Sequence, residues 1–543
     1  MTSPPLAVQT HGDASLRLLQ IGLCIGVPLL FAIAAVLLPQ DNNWDLRNYH
    51  WYNPYALLEG RIGFDLAPSQ TPTFYNPLLD VPFFLAAQAL PARVLSFLLG
   101  LIQGCNFILL FLLARRSLKL PGGARGMLAA AAIAIVGLVG GGHIGMIGAT
   151  FYDNILSLFV LGALLVVISA ADLLVAGPMK AALLRAAVAG ALAGLAVGFK
   201  LPSQVFAVGI CFGLLFIPGP FLRRFWLSFV CGLGVIAGFL ITGGWWIARM
   251  WRDFSNPLFP YMNDIFRSPW ALAESYRDTR FLPKTFFDAI LFPFRFVADS
   301  KIASEISFTD WRIAVASGVL ILTALVLIAR RGGTIALPAN IFAMRYLAAV
   351  AGLSYLAWLA VFAIYRYIAP LEMLAPLLIV AAVNLWPVST RARGAISAGL
   401  LLFVVVTVRI DEDWTREPWA EGLGGSFVDV TVPQFADPAR TLILMTGLAP
   451  TAYVIPSFPP EIAFLRPVSY LAGPDHDTRF IETIKKRIND HTGEMLILLP
   501  SWDHEAAAAA LPMLQLVPDF AACRKLPNNL DETLQLCPVR KQS

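Results

Sequence analysis

Long apolar runs separated by short polar segments dominate the first three quarters of the chain. A helix needs about 20 apolar residues to cross the hydrocarbon core of a bilayer. By that measure the pattern predicts eleven membrane-spanning helices, over residues 16–38, 93–114, 127–147, 155–176, 184–199, 203–218, 226–247, 312–329, 344–364, 368–386 and 394–409. The fifth and sixth are short and separated only by Phe199-Lys200-Leu201-Pro202, so we expect them to meet at a polar point near one membrane face.

The tail from about residue 410 shows a different pattern, with ordinary charge and no long apolar run. TLILMTG and EMLILLP are predicted buried strands, and DTRFIETIKKRIND and HEAAAAALPML are predicted helices beside them. Residues 410–543 are long enough for an α/β domain with its own core. The predicted fold is therefore an all-α polytopic membrane protein with a small C-terminal α/β domain. The membrane module comprises residues 1–409, with outer loops over 40–92 and 248–311.

The composition agrees with a membrane protein. Of 543 residues, 57% are hydrophobic and only 14% are charged, against about 25% charged residues in a typical soluble domain. The first apolar run, from Leu16 to Leu38, is longer than the apolar part of a signal peptide and lacks a clear cleavage site, so we expect an uncleaved first helix. The net charge of +5 is modest and no broad basic face is visible, which argues against nucleic-acid binding.

Basic residues in short loops set the orientation of a membrane protein, because they favour the cytoplasmic side. Here they lie after every second predicted span, and therefore on one side of the membrane. They are Arg115, Arg116, Lys119, Arg125, Lys180, Arg185, Arg223, Arg224, Arg330, Arg331, Arg391 and Arg393. The pattern predicts a cytoplasmic amino terminus. The loops 40–82, 141–154 and 249–311 and the C-terminal tail are then on the opposite side, which in a bacterium is the periplasmic face of the inner membrane.

Six cysteines divide into two groups. Four lie in apolar runs and are most simply small buried hydrophobic residues. Cys523 and Cys537 lie in the polar tail and would be able to form a disulfide if that tail is outside the cytoplasm. Spacing alone leaves this pairing open.

The loop between the first two spans, residues 40–82, is too long for a tight turn and is rich in Asp and Tyr, which is typical of a functional loop. If its front part is helical, Asp45 and Tyr49 share one face, and Gly60 ends the helix. An Asp at the start of a helix is also a common N-cap. Asp45 is therefore either a cap or a catalytic base, and Asp41 is more simply a cap or a solvated side chain.

This loop resembles the GT-C superfamily, the multispan glycosyltransferases that take a sugar from a polyprenyl-phosphate donor outside the cytoplasm. The resemblance rests on Asp45, on Tyr49-His50, on Ala56-Leu57-Leu58-Glu59-Gly60 after a first span, and on Pro72-Thr73-Phe74-Tyr75-Asn76-Pro77-Leu78. It covers residues 16–409 and implies that Asp45 is the catalytic residue. It also implies two surface helices, at about 45–59 and 76–90, a polyprenyl-phosphate sugar as donor, and a lipid or glycan as acceptor.

The chemistry of such a transfer predicts further residues. A single carboxylate base suffices for an inverting transfer to a hydroxyl, and the departing phosphate needs positive charge. Lys200 and Arg366 are the candidate donor-phosphate ligands, because basic residues inside apolar sequence are costly and often functional. The alternative is that each side chain extends to the membrane interface. We expect Asp45, Lys200 and Arg366 to share one cavity.

Seven more residues are candidate substrate-binding groups: Asp41, Tyr49, His50, Tyr75, Asp153, Tyr365 and Glu372. Glu372 is predicted to pair with one of the two cations, and Asp153 either serves the site or caps the fourth span. His143, which lies among glycines, is interpreted as a helix-packing or interface residue. The 141–154 loop has no D-x-D or E-x-D doublet, so no cofactor is predicted and a divalent metal is not favoured.

Two other function classes remain open. A transporter or flippase of lipid-linked glycans would show paired broken helices and mid-membrane charges in both halves. A polysaccharide polymerase or ligase would rely on Arg and His in a large outer loop. The long 249–311 loop is interrupted by Pro and rich in aromatic residues, which indicates either surface helices over a cavity or an aromatic belt. The candidate polar residues gather at one predicted face, which favours the transferase.

Overall fold

A computed structural model describes residues 7–329, 341–419 and 425–542. The chain divides into two compact units. Unit 1 consists of Met1–Leu38, Ser96–Thr242 and Thr279–Trp414, and unit 2 consists of Pro39–Leu95, Gly243–Asp278 and Thr415–Ser543. The predicted boundary at residue 410 between a membrane module and a periplasmic domain stays a prediction. The predicted loop cations Arg330 and Arg331 lie outside the described residues.

The described part of the chain is mostly helical and contains seven helical segments that are long and apolar enough to span a membrane. They are Ala14–Leu37, Ala92–Ser117, Met179–Phe199, Phe221–Phe254, Arg312–Ala329, Ile341–Val361 and Tyr365–Val383. Three shorter apolar segments cover Gly123–Leu138, Asp153–Ser169 and Leu201–Phe216, and the last predicted span corresponds to the helix Thr390–Val406. These segments indicate an integral membrane protein, and the full count of eleven spans stays a prediction.

The third predicted span was placed too far along the chain. The helix ends at Leu138 and not at residue 147, because three consecutive glycines follow at 140–142 and glycine disfavours helix. The Arg312 side chain caps the C-terminal end of this helix. Its guanidinium donates to the carbonyl of Val136 at 2.7 Å and to that of Val139 at 3.0 Å, which satisfies acceptors that a helix end leaves open.

Two long helices of unit 1, Met179–Phe199 and Phe221–Phe239, pack with their backbones in close approach. A Cβ atom on Gly194 would lie 2.1 Å from the carbonyl oxygen of Val235, and one on Gly238 would lie 2.1 Å from that of Ala191. Small residues at four-residue spacing permit this kind of packing between membrane helices. The contact holds in place the helix whose C-terminal end carries Lys200.

The long loop contributes an amphipathic helix to unit 1, Phe286–Ala298. Phe286 is 75% exposed on one face, whereas Phe292 and Phe296 are buried on the other. The Thr285 hydroxyl caps the helix by accepting from the backbone N–H of Asp288. The helix predicted in this loop is therefore present, and its contact with a membrane surface stays a prediction.

Unit 2 is organised around a six-stranded mixed sheet. Thr441–Met445 pairs in parallel with Ala463–Leu465 on one side and with Glu494–Pro500 on the other. Leu534–Lys541 continues the sheet antiparallel to Glu494–Pro500, and it also pairs with Leu516–Pro518 and Arg524–Lys525. Both predicted strands are confirmed, as are the predicted helices, which run over Arg479–Asp490 and His504–Ala510.

The first loop belongs to unit 2 with the tail. Its short helical segments are Leu46–His50, Tyr52–Leu58, Thr71–Phe74 and Asp80–Ala89. Gln40–Asp41 pairs antiparallel with Arg416–Glu417. Leu66 adds to the edge of the sheet, because its N–H donates to the Phe464 carbonyl at 2.9 Å and its carbonyl accepts from the Arg466 N–H at 3.0 Å. The tail therefore holds the loop that carries Asp45.

Cys523 and Cys537 form a disulfide in unit 2. The bridge joins two positions with a sequence separation of 14, and closure of a loop of this size is worth about 3 kcal/mol in the unfolded-chain model. We expect Cys537→Ser to lower the thermal midpoint of the purified protein, because the unfolded tail gains conformational freedom. Cys24→Ser, at a half-buried free thiol, is the control. Equal midpoints for the two variants would contradict a stabilising role for the bridge.

Candidate functional site

Asp45 begins the helical part of the first loop. The residue is 6% exposed, and its carboxylate accepts a hydrogen bond from the Tyr49 hydroxyl at 3.0 Å, one turn further on, as the spacing predicted. The side chain of Asp45 makes no capping hydrogen bond. The acceptor at the helix start is Asn43, whose Oδ1 receives the backbone N–H of Leu46 at 2.8 Å. The capping alternative for Asp45 is therefore wrong.

Asp41 acts on this cap. Both of its carboxylate oxygens lie 2.8 Å from Nδ2 of Asn43, and the residue is 1% exposed. Asp41 is thus neither solvated nor itself a helix cap, and it orients the amide that caps the helix. The end of the helix follows the prediction, since Gly60 has φ +66° and the Arg61 N–H reaches back to the Ala56 carbonyl.

Tyrosine rings lie beside Asp45 in unit 2. The Tyr49 and Tyr75 rings are 5.2 Å apart, and the Tyr75 hydroxyl hydrogen bonds to that of Tyr261. Burial raises the pKa of Tyr261 to about 12, the hydrogen bond with Tyr75 opposes this, and the negative charges of Asp278 and Asp45 add to it. The Asp45 charge therefore contributes to the raised pKa of Tyr261, a residue that was not among the predicted site residues.

His50, also a predicted site residue, pairs with a buried carboxylate. Its Nδ1 lies 2.6 Å from Oδ1 of Asp80, at the start of the helix Asp80–Ala89. The His50 ring is 4.2 Å from that of Tyr49. The contact links the two helices that the resemblance implied for this loop.

Lys200 and Asp153 form an ion pair in unit 1. The Lys200 ammonium lies 2.9 and 3.1 Å from the two oxygens of Asp153, which begins the helix Asp153–Ser169. Lys200 itself follows the end of the helix Met179–Phe199, at the junction where a polar point was predicted. A narrow cavity with room for about one water molecule adjoins the pair, between Asp153, Ser203, Phe206 and Tyr367.

Arg366 lies in a single helical turn, Tyr365–Ile368, between two spans. Its guanidinium carbon lies 4.6 Å from the centre of the Phe151 ring and 5.4 Å from that of Tyr367. The Lys200 ammonium lies 5.2 Å from the same Tyr367 ring. Both predicted phosphate ligands thus converge on one tyrosine, at contact distances typical of cation–π interactions. Glu305 is the carboxylate near Arg366, at 3.7 Å.

Glu372 pairs with His143. The prediction that it pairs with Lys200 or Arg366 is therefore wrong. Its carboxylate hydrogen bonds to His143 Nδ1, while His143 Nε2 lies 3.0 Å from the carbonyl oxygen of Arg366. His143 is therefore more than a packing residue. Sequence reasoning missed this role because the partners are 229 residues apart. Tyr365, a predicted site residue, is buried with its ring 6.1 Å from the His143 ring.

The candidate residues thus form two groups, one in each unit. Unit 2 holds the Asp45 group and unit 1 holds the Lys200 and Arg366 group. The expectation that Asp45 shares a cavity with the two cations stays a prediction. Within the described ranges, one group has ligand atoms close enough to hold a metal ion, His504 with Cys523 and Cys537. Its two sulfurs are joined in the disulfide, so they are not thiolate ligands.

No protein-family profile and no curated protein sequence matches the chain. Two similar solved structures come from Archaeoglobus fulgidus. The apo oligosaccharyltransferase has a TM-score of 0.47 and 13% identity, and AglB in complex with an inhibitory peptide and a dolichol-phosphate has a TM-score of 0.46 and 12% identity. Each match covers 91% of this chain and 72% of the other.

Proposed function

We propose that the chain is an integral membrane glycosyltransferase that transfers a sugar from a polyprenyl-phosphate donor to a hydroxyl of a lipid or glycan acceptor. The observation that carries the proposal is the environment of the Asp45 carboxylate. A buried carboxylate that is oriented by a tyrosine hydroxyl, and relieved of helix capping by Asn43, is suited to act as a base. The transfer is proposed to need no cofactor.

The proposed reaction inverts the configuration of the sugar. Asp45 takes the proton of the acceptor hydroxyl while that oxygen attacks the anomeric carbon. The bond between this carbon and the phosphate oxygen breaks, and the polyprenyl phosphate leaves with the electron pair. Positive charge near the phosphate stabilises the developing negative charge. Lys200 and Arg366 are the residues that we assign to that role, because they flank one ring, Tyr367.

The reaction is proposed to occur outside the cytoplasm, on the periplasmic face of the inner membrane. The Cys523–Cys537 disulfide supports this assignment, since such bonds persist in oxidising compartments. The charges in the short loops support the same orientation.

The proposal is tested with the full chain reconstituted in lipid vesicles. A panel of polyprenyl-phosphate sugars is offered with lipid and glycan acceptors from a bacterial envelope. We expect acceptor-dependent release of polyprenyl phosphate from at least one donor. Movement of a lipid-linked sugar across the vesicle membrane without any release would contradict the proposal and support a flippase.

Loss of either cation should impair use of the donor. We expect Lys200→Met and Arg366→Met each to lower kcat/KM by about 10²-fold, because charge stabilisation of a leaving group is worth a few kcal/mol. Arg366→Lys should recover little, since lysine cannot reproduce the stacking of a planar guanidinium on aromatic rings. Lys301→Met removes an exposed lysine of unit 1 and is the control. If the Lys200 and Arg366 variants had the same kcat/KM as the wild type and the control, neither residue would belong to the donor site.

A further inference from the structure

His143 connects a buried carboxylate to the turn that carries Arg366. The ring is 3% exposed and Glu372 is 1% exposed. One ring nitrogen faces the Glu372 carboxylate and the other faces the backbone carbonyl of Arg366. Because a backbone carbonyl only accepts hydrogen bonds, Nε2 must carry a proton. The pair therefore fixes the position of the Arg366 backbone as well as the tautomer of the ring.

The other ring nitrogen, Nδ1, forms the hydrogen bond with the Glu372 carboxylate. With Glu372 ionised, both ring nitrogens donate and the ring is an imidazolium. Burial lowers the pKa of His143, but the Glu372 charge and hydrogen bond, the Arg366 carbonyl and the Asp153 charge together raise it above its ordinary value. Arg312 and Asp310 are the next charged groups near Glu372.

The surrounding backbone is shaped for this pair. A Cβ atom on Gly140 would lie 1.3 Å from Oε1 of Glu372, and one on Gly142 would lie 2.4 Å from the Tyr365 ring. The glycine run is itself held in place, because Oδ2 of Asp310 accepts from the Gly141 N–H at 2.7 Å. Only glycine at 140 leaves room for the carboxylate to reach His143.

We propose that His143 is a positioning residue for donor recognition: bridging Glu372 and the Arg366 carbonyl, it holds the Tyr365–Ile368 turn so that Arg366 and Tyr367 present a preformed phosphate site. This rests on the proposed role of Arg366 in binding the donor phosphate. The hydrogen bond from Nε2 to the Arg366 carbonyl holds the turn in place, and Glu372 orients the His143 ring that donates this bond.

Two substitutions of His143 separate this role from simple packing. The amide nitrogen of Gln reaches about as far as Nε2 of His, so His143→Gln keeps a donor for the Arg366 carbonyl. The shorter His143→Asn keeps the contact with Glu372 and loses the carbonyl. We expect His143→Asn to weaken binding about tenfold, and His143→Gln by less than about threefold, because one hydrogen bond is at stake.

The experiment measures binding of a short-chain polyprenyl phosphate to each full-length variant in detergent micelles, with thermal midpoints recorded in parallel. In the transfer assay His143→Asn should raise the KM of the donor about tenfold and leave kcat within about twofold. Wild-type affinity in His143→Asn, or equal weakening in both His143 variants, would overturn the positioning role. If His143→Asn does not fold, Glu372→Gln is the deciding variant. It should weaken binding, because the His143 ring loses the contact that orients it. Unchanged binding in Glu372→Gln would overturn the positioning role.

The same experiment distinguishes failure of the wider proposal. Arg366→Met is included as the reference for loss of the phosphate contact. If the wild type does not bind the polyprenyl phosphate, both the donor assignment and the positioning role are wrong. If the wild type binds and Arg366→Met does not, the donor assignment is supported, and the His143 variants test the positioning role alone.

Discussion

Asp45→Asn should lower the rate of sugar transfer by about 10²- to 10⁴-fold, the range that a positioned general base contributes. Asparagine has the shape of aspartate and cannot take the acceptor proton. It can still accept the hydrogen bond that the Tyr49 hydroxyl donates to residue 45, so the fold of the first loop should be retained. The measurement is the initial rate of polyprenyl phosphate release at saturating donor, with thermal midpoints recorded for both proteins.

Glu59→Gln is the matched control, because Glu59 is an exposed carboxylate of the same loop, at the end of the next helical segment, Tyr52–Leu58. It should transfer sugar at the wild-type rate. Binding of the polyprenyl phosphate should survive Asp45→Asn, since the assigned phosphate ligands are elsewhere in the chain. Full transfer activity in a folded Asp45→Asn protein would end the assignment of Asp45 as the base. A flippase would instead move the lipid-linked sugar equally well with and without the substitution.

Asp65→Asn should destabilise unit 2 by about 3–5 kcal/mol, the usual cost of breaking a buried ion pair from one side. The Asp65 carboxylate accepts from Arg61 through both of its oxygens, at 2.7 and 2.8 Å, and from the Tyr52 hydroxyl at 2.8 Å. It also accepts from the backbone N–H of Phe464 in the tail. The substitution leaves the Arg61 charge buried without its counter-ion. Thermal unfolding of the purified protein and protease sensitivity of the tail measure the effect.

Arg487→Met is the control for that substitution. Arg487 also joins the tail to the first loop, since it donates to the carbonyls of Phe64 and Gly63, but these contacts are exposed. We expect it to change the stability by no more than about 1 kcal/mol, as is usual for exposed contacts. If Asp65→Asn were no more destabilising than Arg487→Met, the buried pair would not be what joins the first loop to the tail.

Part of the candidate site was predictable because its residues are close along the chain. The spacing from Asp45 to Tyr49 is one helical turn, so their contact follows from local geometry. Lys200 was identifiable as a cation at an interruption between two apolar runs. The cap was also local, yet the choice of Asn43 over Asp45 was missed, because both residue types are good caps and only the backbone angles decide between them.

The remaining contacts join residues far apart in the chain. His143 and Glu372 are separated by 229 residues, and Tyr75 and Tyr261 by 186. Hydrophobic periodicity shows which face of a helix is buried, but not which other helix covers it. For Glu372, the pairing also depends on the room that Gly140 leaves.

The sequence by itself determined the apolar helices, the two central strands of the tail, the helices beside them and the acidic first loop. Each of these depends on residue types within a few positions of one another. Only the tertiary structure decided that the first loop folds onto the tail through Leu66 and Phe464, that Lys200 and Arg366 meet at Tyr367, and that His143 holds the Arg366 turn. Those contacts are set by how distant segments pack, and packing depends on the shape and close approach of many side chains at once.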